Sequence, residues 1–127
     1  MQADMFLLAD HAQVAEGKLY LAGGGWTRLT VARIPIRRRA ALAIALLIDA
    51  SESGERHSFR VDMQTPGDRV TLGEGQFEGE AFEGPSESFL IAINTDLAIE
   101  AEGQYEFILS VDSDEIKRTG FEVVTAP

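Results

Sequence analysis

The glycine run Gly23, Gly24 and Gly25, followed by Trp26, the only tryptophan, is the first feature whose residue types could carry chemistry. Glycine-rich loops bind phosphate when their backbone N–H groups converge at the N-terminus of a helix. The residues that follow, 26–31, instead have the alternation of a strand, so we expect a bulge or corner of a sheet. The alternative is a ligand or partner site anchored by Trp26, because tryptophan is enriched in binding hot spots.

Two histidines lie beside residues that suggest a hydrolytic triad, since Asp10 precedes His11 and Ser58 follows His57. Neighbours on a strand point to opposite faces, so adjacency alone forms no dyad. A nucleophile elbow of the Gly-x-Ser-x-Gly type is absent from the sequence. A hydrolytic enzyme is therefore the least favoured function, and we predict no catalytic residue.

Acidic side chains cluster where a hard cation would find oxygen ligands. Four glutamates alternate with glycines between Glu74 and Glu83, and Asp112, Asp114 and Glu115 share one turn. Calcium requires several oxygens that converge from a loop, and the EF-hand pattern is absent. We expect a solvated acidic edge, which also discourages aggregation between sheet edges, and we assign no metal or cofactor. Calcium binding at Glu74–Glu83 is the alternative.

The arginines Arg33, Arg37, Arg38 and Arg39 form the only basic concentration. Such a run can bind phosphate or nucleic acid. Residues 1–69 carry nine basic and eight acidic groups, whereas residues 70–127 carry two and thirteen. Because the second half is so acidic, we expect the arginines to pair with acids of this molecule or of a second copy. The alternative is a solvated loop that serves solubility.

Composition narrows the class of protein. The chain has 127 residues, 45% of them hydrophobic, a net charge of −10 and no cysteine. We expect a single domain over residues 1–127 that folds without disulfides. The missing cysteine excludes zinc fingers, thioredoxin chemistry and cysteine nucleophiles. The acidic excess argues against nucleic acid and anionic membranes as partners, because both present negative charge.

Period-2 alternation predicts strands along most of the chain, most clearly at Gln104–Val111, where Tyr105 and Phe107 belong to the apolar face. Glu16-Gly17, Pro66-Gly67-Asp68 and similar turns separate eight or nine such segments. The predicted fold is an all-β, antiparallel β-sandwich, immunoglobulin-like or jelly-roll-like, or a closely related barrel. Gly103 before Tyr105 resembles the tyrosine corner of immunoglobulin-like sandwiches.

The apolar segment Ala40–Ile48 is predicted as a strand, although alanine and leucine also favour helices. Its larger side chains Leu42, Ile44, Leu46 and Ile48 share one face, and Ala41, Ala43, Ala45 and Leu47 share the other. A strand that is apolar on both faces must be covered on both, either by this chain or by a partner.

A family resemblance follows from the segment Gly17-Lys18-Leu19-Tyr20 joined to Gly23-Gly24-Gly25-Trp26, with the central apolar strand and the Gly103–Tyr105 hairpin behind it. The chain resembles a family of uncharacterised small bacterial proteins, a domain of unknown function, over nearly its whole length. The resemblance implies a bacterial source and a compact β-rich fold, and it transfers no catalytic residue.

The N-terminus does not have the pattern of a signal peptide, and we expect the protein to stay in the cytoplasm. Asp4 stands where a signal peptide requires basic residues, and Ala40–Ile48 is too short for a membrane-spanning helix. The absence of disulfides is compatible with that compartment.

The favoured function is a non-enzymatic module that self-associates or docks on another protein. A small-ligand or calcium-binding β-sandwich is the alternative. The candidate interaction surface consists of Trp26, Arg33, Arg37, Arg38, Arg39, Ala41, Ala43, Ala45 and Leu47. Its apolar face would supply contact and its arginines electrostatic register.

Overall fold

The computed structural model describes residues 1–78, 84 and 86–127, and within these the chain is almost entirely β-strand. The strands are β1 (Gln2–Ala9), β2 (His11–Ala15), β3 (Lys18–Ala22), β4 (Arg28–Val31), β5 (Ile36–Asp49), β6 (Arg56–Gln64), β7 (Arg69–Glu78), β8 (Ser86–Ile99), β9 (Gly103–Val111) and β10 (Asp114–Thr125), with one 3₁₀ turn at Ala50–Glu52. The all-β prediction is confirmed. The described residues contain ten strands, more than the eight or nine predicted.

The strand that the sequence did not reveal is β2. It pairs antiparallel with β3 through a two-residue turn, in which Glu16 and Gly17 have φ values of 54° and 70°. Positive φ at both central residues gives such a turn a twist that matches its flanking strands. The predicted turn therefore closes a hairpin, the β2–β3 hairpin, whose first arm was missed.

The other strands form two larger sheets. The three-stranded sheet has the order β1-β5-β8, and the five-stranded sheet has the order β4-β10-β9-β6-β7. All their pairs are antiparallel except one, because β4 runs parallel to β10, with Arg28 opposite Glu122. The prediction of a purely antiparallel fold is wrong at this pair. Within the described residues the sheets form no closed barrel.

One apolar core joins the two larger sheets. Leu42, Ile44 and Leu46 of β5 contribute to the same buried cluster as Phe107 and Leu109 of β9. The apolar segment Ala40–Ile48 is therefore a strand, as predicted, and its larger side chains face the core. Burial of such side chains supplies the main driving force for folding.

Tyr105 closes one end of this core. Its ring is 1% exposed and stacks on Phe121 at 5.2 Å between ring centroids. Its hydroxyl donates a hydrogen bond of 2.7 Å to the carbonyl oxygen of Ala101, four residues upstream. This backward bond is the one that a tyrosine corner makes.

Candidate functional site

The arginine run is divided by the alternation of β5. Arg38 pairs in register with Leu97 and lies on the same face as Leu42, towards the core, whereas Arg37 and Arg39 lie on the outer face. The guanidinium of Arg38 lies 5.4 Å from the centroid of the Trp26 ring, a cation–π distance. Its Nη2 also lies 2.8 Å from Oδ1 of Asp10. Arg38 thus pairs with the molecule's own acid, as one of the two sequence-based alternatives expected.

Trp26 has a structural position at the corner of the sheets. Its half-buried ring meets Phe121 edge-on at 5.3 Å between ring centroids. Gly23 and Gly25 have positive φ, the N–H of Gly25 donates to Leu8 O at 2.7 Å, and a Cβ at Gly23 would collide with the Asp10 carboxylate. The glycine run is therefore a tight corner, as expected, and leads into β4 and not into a helix.

Three arginines of the candidate interaction surface, Arg33, Arg37 and Arg39, are exposed. Within residues 1–78, 84 and 86–127, none of them has a carboxylate oxygen within 4.0 Å. All other arginines of the chain form ion pairs in that part: Arg28, Arg38, Arg56, Arg60, Arg69 and Arg118. We call Arg33, Arg37 and Arg39 the arginine surface.

The alanine face of β5 is covered by the chain itself. Ala41 and Ala43 are 0% exposed and pack with Ala12 of the β2–β3 hairpin. No partner can touch them unless the hairpin moves away. Towards the end of β5, Ala45 is 7% exposed and Leu47 is half-buried, so this half of the predicted face offers little area. The sequence left open whether the chain or a partner covers this face, and at Ala41 and Ala43 it is the chain.

Asn94 holds the hairpin in place. Its side-chain amide donates to the carbonyl oxygen of Ala12 at 2.7 Å, and its Oδ1 accepts from the N–H of Ala12 at 3.2 Å. The amide therefore satisfies both backbone groups of one β2 residue, as a neighbouring strand would.

We predict that Asn94→Ala loosens the β2–β3 hairpin, because it leaves both backbone groups of Ala12 without a partner. The local opening free energy is expected to fall by about 1–2 kcal/mol. Amide hydrogen exchange should then be roughly tenfold faster or more at protected residues of 11–22, with little change in β9. Gln13→Ala, which removes an exposed amide of the same hairpin, is the control and should leave exchange unchanged.

His57 is buried in a hydrogen-bonded bridge. Its Nδ1 lies 2.6 Å from Oδ2 of Asp112 and its Nε2 lies 3.1 Å from the carbonyl oxygen of Glu52. The hydrogen bond to Asp112 raises the pKa of His57, while burial opposes the shift. The hydrogen bonds from His57 and from the N–H of Ser58 lower the pKa of Asp112. The imidazolium, with both nitrogens donating, is the form that suits two acceptors.

This bridge is not the arrangement of a hydrolytic triad. The second nitrogen of His57 faces a carbonyl oxygen and not a hydroxyl, so it has no serine to activate. Its ring also packs on Phe77 at 5.5 Å between centroids. His11 is exposed at the start of β2, far along the chain from this bridge. The geometry gives His57 a structural role that joins the 3₁₀ turn to the β9–β10 turn.

The predicted acidic clusters separate in the structure. Within the described residues no group of three or more acidic or histidine side chains is arranged to hold a metal ion. In the β9–β10 turn, Asp112 binds His57 and Glu115 pairs with Arg118 at 2.7 Å. Glu80 and Glu83 of the segment Glu74–Glu83 lie outside the described residues.

A charged network on the outer face of the five-stranded sheet was missed by the sequence analysis. Asp62 is 3% exposed, and its carboxylate accepts from Thr71 and Arg69 and lies 3.2 Å from Nε of Arg60. These partners lower the pKa of Asp62 against the cost of burial. The alternation of Arg60 and Asp62 with apolar residues was visible, but the contact with Arg69 depends on the pairing of β6 with β7.

Comparison with known proteins places the chain in a family. A family model described as a family of unknown function, DUF6941, matches residues 4–124. The chain belongs to this family. The predicted resemblance to a domain of unknown function is thereby confirmed, and a search of curated proteins finds no match to this DUF6941 chain.

Solved structures resemble the DUF6941 chain in fold. A crystal structure of a β-glucosidase from Listeria innocua is 9% identical with a TM-score of 0.51, covering 79% of this chain and 15% of that one. A structure of a β-glucosidase from Listeria innocua in complex with glucose is 10% identical with a TM-score of 0.50, covering 94% and 16%. The chain spans less than a fifth of these enzymes, and the likeness concerns the fold alone.

In the part of the chain that the structure describes, no helix has the length and apolar character needed to cross a membrane.

Proposed function

We propose that the DUF6941 chain is a non-enzymatic interaction module that self-associates, with the arginine surface of one copy binding carboxylates of another. The observation that carries the proposal is the contrast among its nine arginines. Six are ion-paired within the described chain, and the three that are not, Arg33, Arg37 and Arg39, lie close together in sequence.

The charge balance favours an acidic protein surface as partner. The chain carries 21 acidic side chains against 11 basic ones, and thirteen of the acidic ones lie in residues 70–127. A second copy therefore supplies abundant carboxylates, whereas a polyanion such as nucleic acid would be repelled by most of this surface. Arginine is suited to such contacts because its planar guanidinium binds carboxylates in a bidentate manner.

The fold that presents this surface is, in our proposal, a mostly antiparallel β-sandwich of immunoglobulin-like type in a bacterial cytoplasm. The shared core of the two larger sheets and the hydrogen bond from Tyr105 to Ala101 support the sandwich. A chain without cysteine is compatible with a reducing compartment.

Light-scattering mass across a salt series tests self-association. Between about 0.01 M and 1 M salt the screening length falls from about 30 Å to about 3 Å, so contacts between exposed charges weaken. We expect a mass above the monomer's 13.8 kDa at low salt and a return towards 13.8 kDa at high salt. A monomer at every salt and protein concentration would contradict self-association.

We predict that the charge reversal Arg37→Glu with Arg39→Glu abolishes the low-salt association. Both side chains are exposed, so the fold should be retained. The matched control is Arg28→Glu with Lys117→Glu, an equal change in net charge at exposed basic residues outside the arginine surface. The control should associate as the wild type does. Equal loss in both variants would show that net charge, and not the arginine surface, governs association.

A further inference from the structure

A cleft opens where the exposed edges of the two larger sheets meet the β2–β3 hairpin. Its volume is about 500 Å³, and it is lined by apolar side chains of β6, β7 and β8 and by Val14 of the hairpin. Phe77 and Phe89 stack at 4.4 Å between ring centroids and join the two sheet edges. We call this the edge cleft. Its apolar lining residues are Val14, Phe59, Phe77, Phe89, Leu90, Ile91 and Ala92, and its polar ones are Gln13, Gln76 and Asn94.

Acidic residues lie next to the lining of the edge cleft. Glu78 directly follows Phe77 and its side chain is 59% exposed, and Glu87 precedes Phe89 by two residues on the same face of β8. Glu16 lies in the hairpin turn, two residues after Val14. In the described residues Glu78 pairs with Arg56 at 3.8 Å, whereas neither Glu16 nor Glu87 forms an ion pair within 4.0 Å. Seven of the ten residues that line the edge cleft are thus apolar, and three acids against Arg56 give it a net negative surround.

The arginine surface has the complementary composition. Pro35 is exposed between Arg33 and Arg37 in the connection from β4 to β5, so an apolar ring is flanked by free guanidinium groups. Apolar contact at the centre with charge pairs at the rim is the usual anatomy of a protein interface. We call residues 33–37 the arginine loop.

The arginine loop of one molecule does not reach that molecule's own edge cleft. Ile36, at the end of the arginine loop, pairs with Ile99, whereas Phe89 in the cleft pairs with Leu46, ten residues further along β5. At roughly 3.3 Å per residue the two positions are about 33 Å apart. An arginine loop that binds this cleft must therefore come from another molecule.

We propose that the edge cleft receives the arginine loop of a second copy, so that the chain assembles head to tail. Pro35 would enter the apolar interior, and Arg33 and Arg37 would meet Glu78 and Glu87 at the rim. This inference rests on the proposed self-association and names its second surface. Because the two surfaces differ, the contact is heterologous, and every assembly retains one free loop and one free cleft unless it closes into a ring.

Mixing two variants that are each unable to assemble tests this geometry. The loop variant is Arg33→Gln with Arg37→Gln, and the cleft variant is Glu78→Lys with Glu87→Lys, all at exposed positions. We expect each alone to be a monomer at low salt. Mixed in equal amounts, they should form a dimer of twice the monomer mass and nothing larger, because only one intact loop and one intact cleft meet.

The controls separate this inference from the proposed function. Asp4→Lys with Asp114→Lys makes the same charge change at exposed acids outside the cleft lining and should assemble as the wild type does. If the cleft variant assembles normally while the loop variant is a monomer, self-association stands but the edge cleft is not its second surface. If the two variants stay monomeric when mixed, head-to-tail assembly is overturned. A wild type that is monomeric at every salt overturns both proposals.

Discussion

Replacing His57 with glutamine is expected to destabilise the fold by about 2–3 kcal/mol near pH 5.5 and to remove a pH dependence that the wild type shows above it. The substitution removes a charge-assisted hydrogen bond to Asp112 and the packing of a buried ring on Phe77. The Asp112 side chain is 49% exposed, so water screens part of the ion-pair contribution.

The direction of the pH dependence follows from the two pKa shifts. Folding raises the pKa of His57 above 6.5 because Asp112 accepts a hydrogen bond from its imidazolium. The stability that this bond contributes is therefore complete below pH 6.5 and is lost as pH rises through the raised pKa. Folding lowers the pKa of Asp112 below 3.8, so that contribution is present above pH 3.8 and is lost as pH falls through the lowered value. The bridge between His57 and Asp112 therefore stabilises the fold most between pH 3.8 and pH 6.5.

The reason for the alkaline loss lies in the two acceptors. A neutral imidazole has only one N–H, so it cannot donate both to Asp112 and to the carbonyl oxygen of Glu52. The other charges near the bridge are the Glu52 carboxylate, which raises the pKa of His57, and the Met1 amine, which lies 2.8 Å from that carboxylate. Both are retained in the variant, so a comparison with the wild type isolates the imidazole.

Urea unfolding at a series of pH values between about 5 and 9 measures this effect. The stability difference between the wild type and His57→Gln should be largest at the acid end and shrink towards pH 9. His11→Gln, at an exposed histidine, is the control and should follow the wild type throughout. A difference that is constant with pH would mean that His57 stabilises by packing alone.

The same bridge shows that sequence neighbours do not identify the partner of His57. Ser58 follows His57 along the chain, but the side chain that binds its Nδ1 is Asp112, 55 residues away. The pairing of β6 with β9 places Phe59 opposite Val111 and so brings the two strand ends together. Only strand order supplies that information, and alternation within a strand does not contain it.

The alternation of residues along β5 also separates its three arginines between the two faces of the strand. The period that assigned Leu42 and Ile44 to the core also places Arg38 on their face, and Arg37 and Arg39 on the other. The alternation therefore predicts one arginine on the core-facing side of β5 and two on its outer side. The contacts of Arg38 with Asp10 and Trp26 cannot be predicted from alternation, because they depend on the corner formed by the glycine run.

The sequence did not predict that β2 covers the alanine face of β5, and the reason is a different one. β2 contains only five residues, and its apolar positions Ala12 and Val14 are too few to show a period clearly. A short strand is identified by what it packs against, and that contact is a tertiary one. The two-sided apolar character of β5 was nevertheless predictable, and it correctly required a cover on both faces.

Enlarging this covered face is expected to have the second large effect. Ala43→Leu adds three carbon atoms at a side chain that is 0% exposed and packs with Ala12 and its neighbours. Either the hairpin lifts from the three-stranded sheet or the core accepts strain, and we expect a loss of about 2–3 kcal/mol in the free energy of unfolding. Urea unfolding provides the measurement, with exchange at residues 11–22 to show whether the hairpin lifts.

Ala98→Leu is the matched control, because Ala98 lies on the same outer face of the three-stranded sheet, opposite Arg37, but is exposed. The same substitution there should change stability by no more than about 0.5 kcal/mol. Equal, small effects at both positions would mean that the hairpin does not cover Ala43 in solution, and the alanine face would again be open to a partner. A large effect at Ala43 alone would mean that the β2–β3 hairpin covers this position in solution.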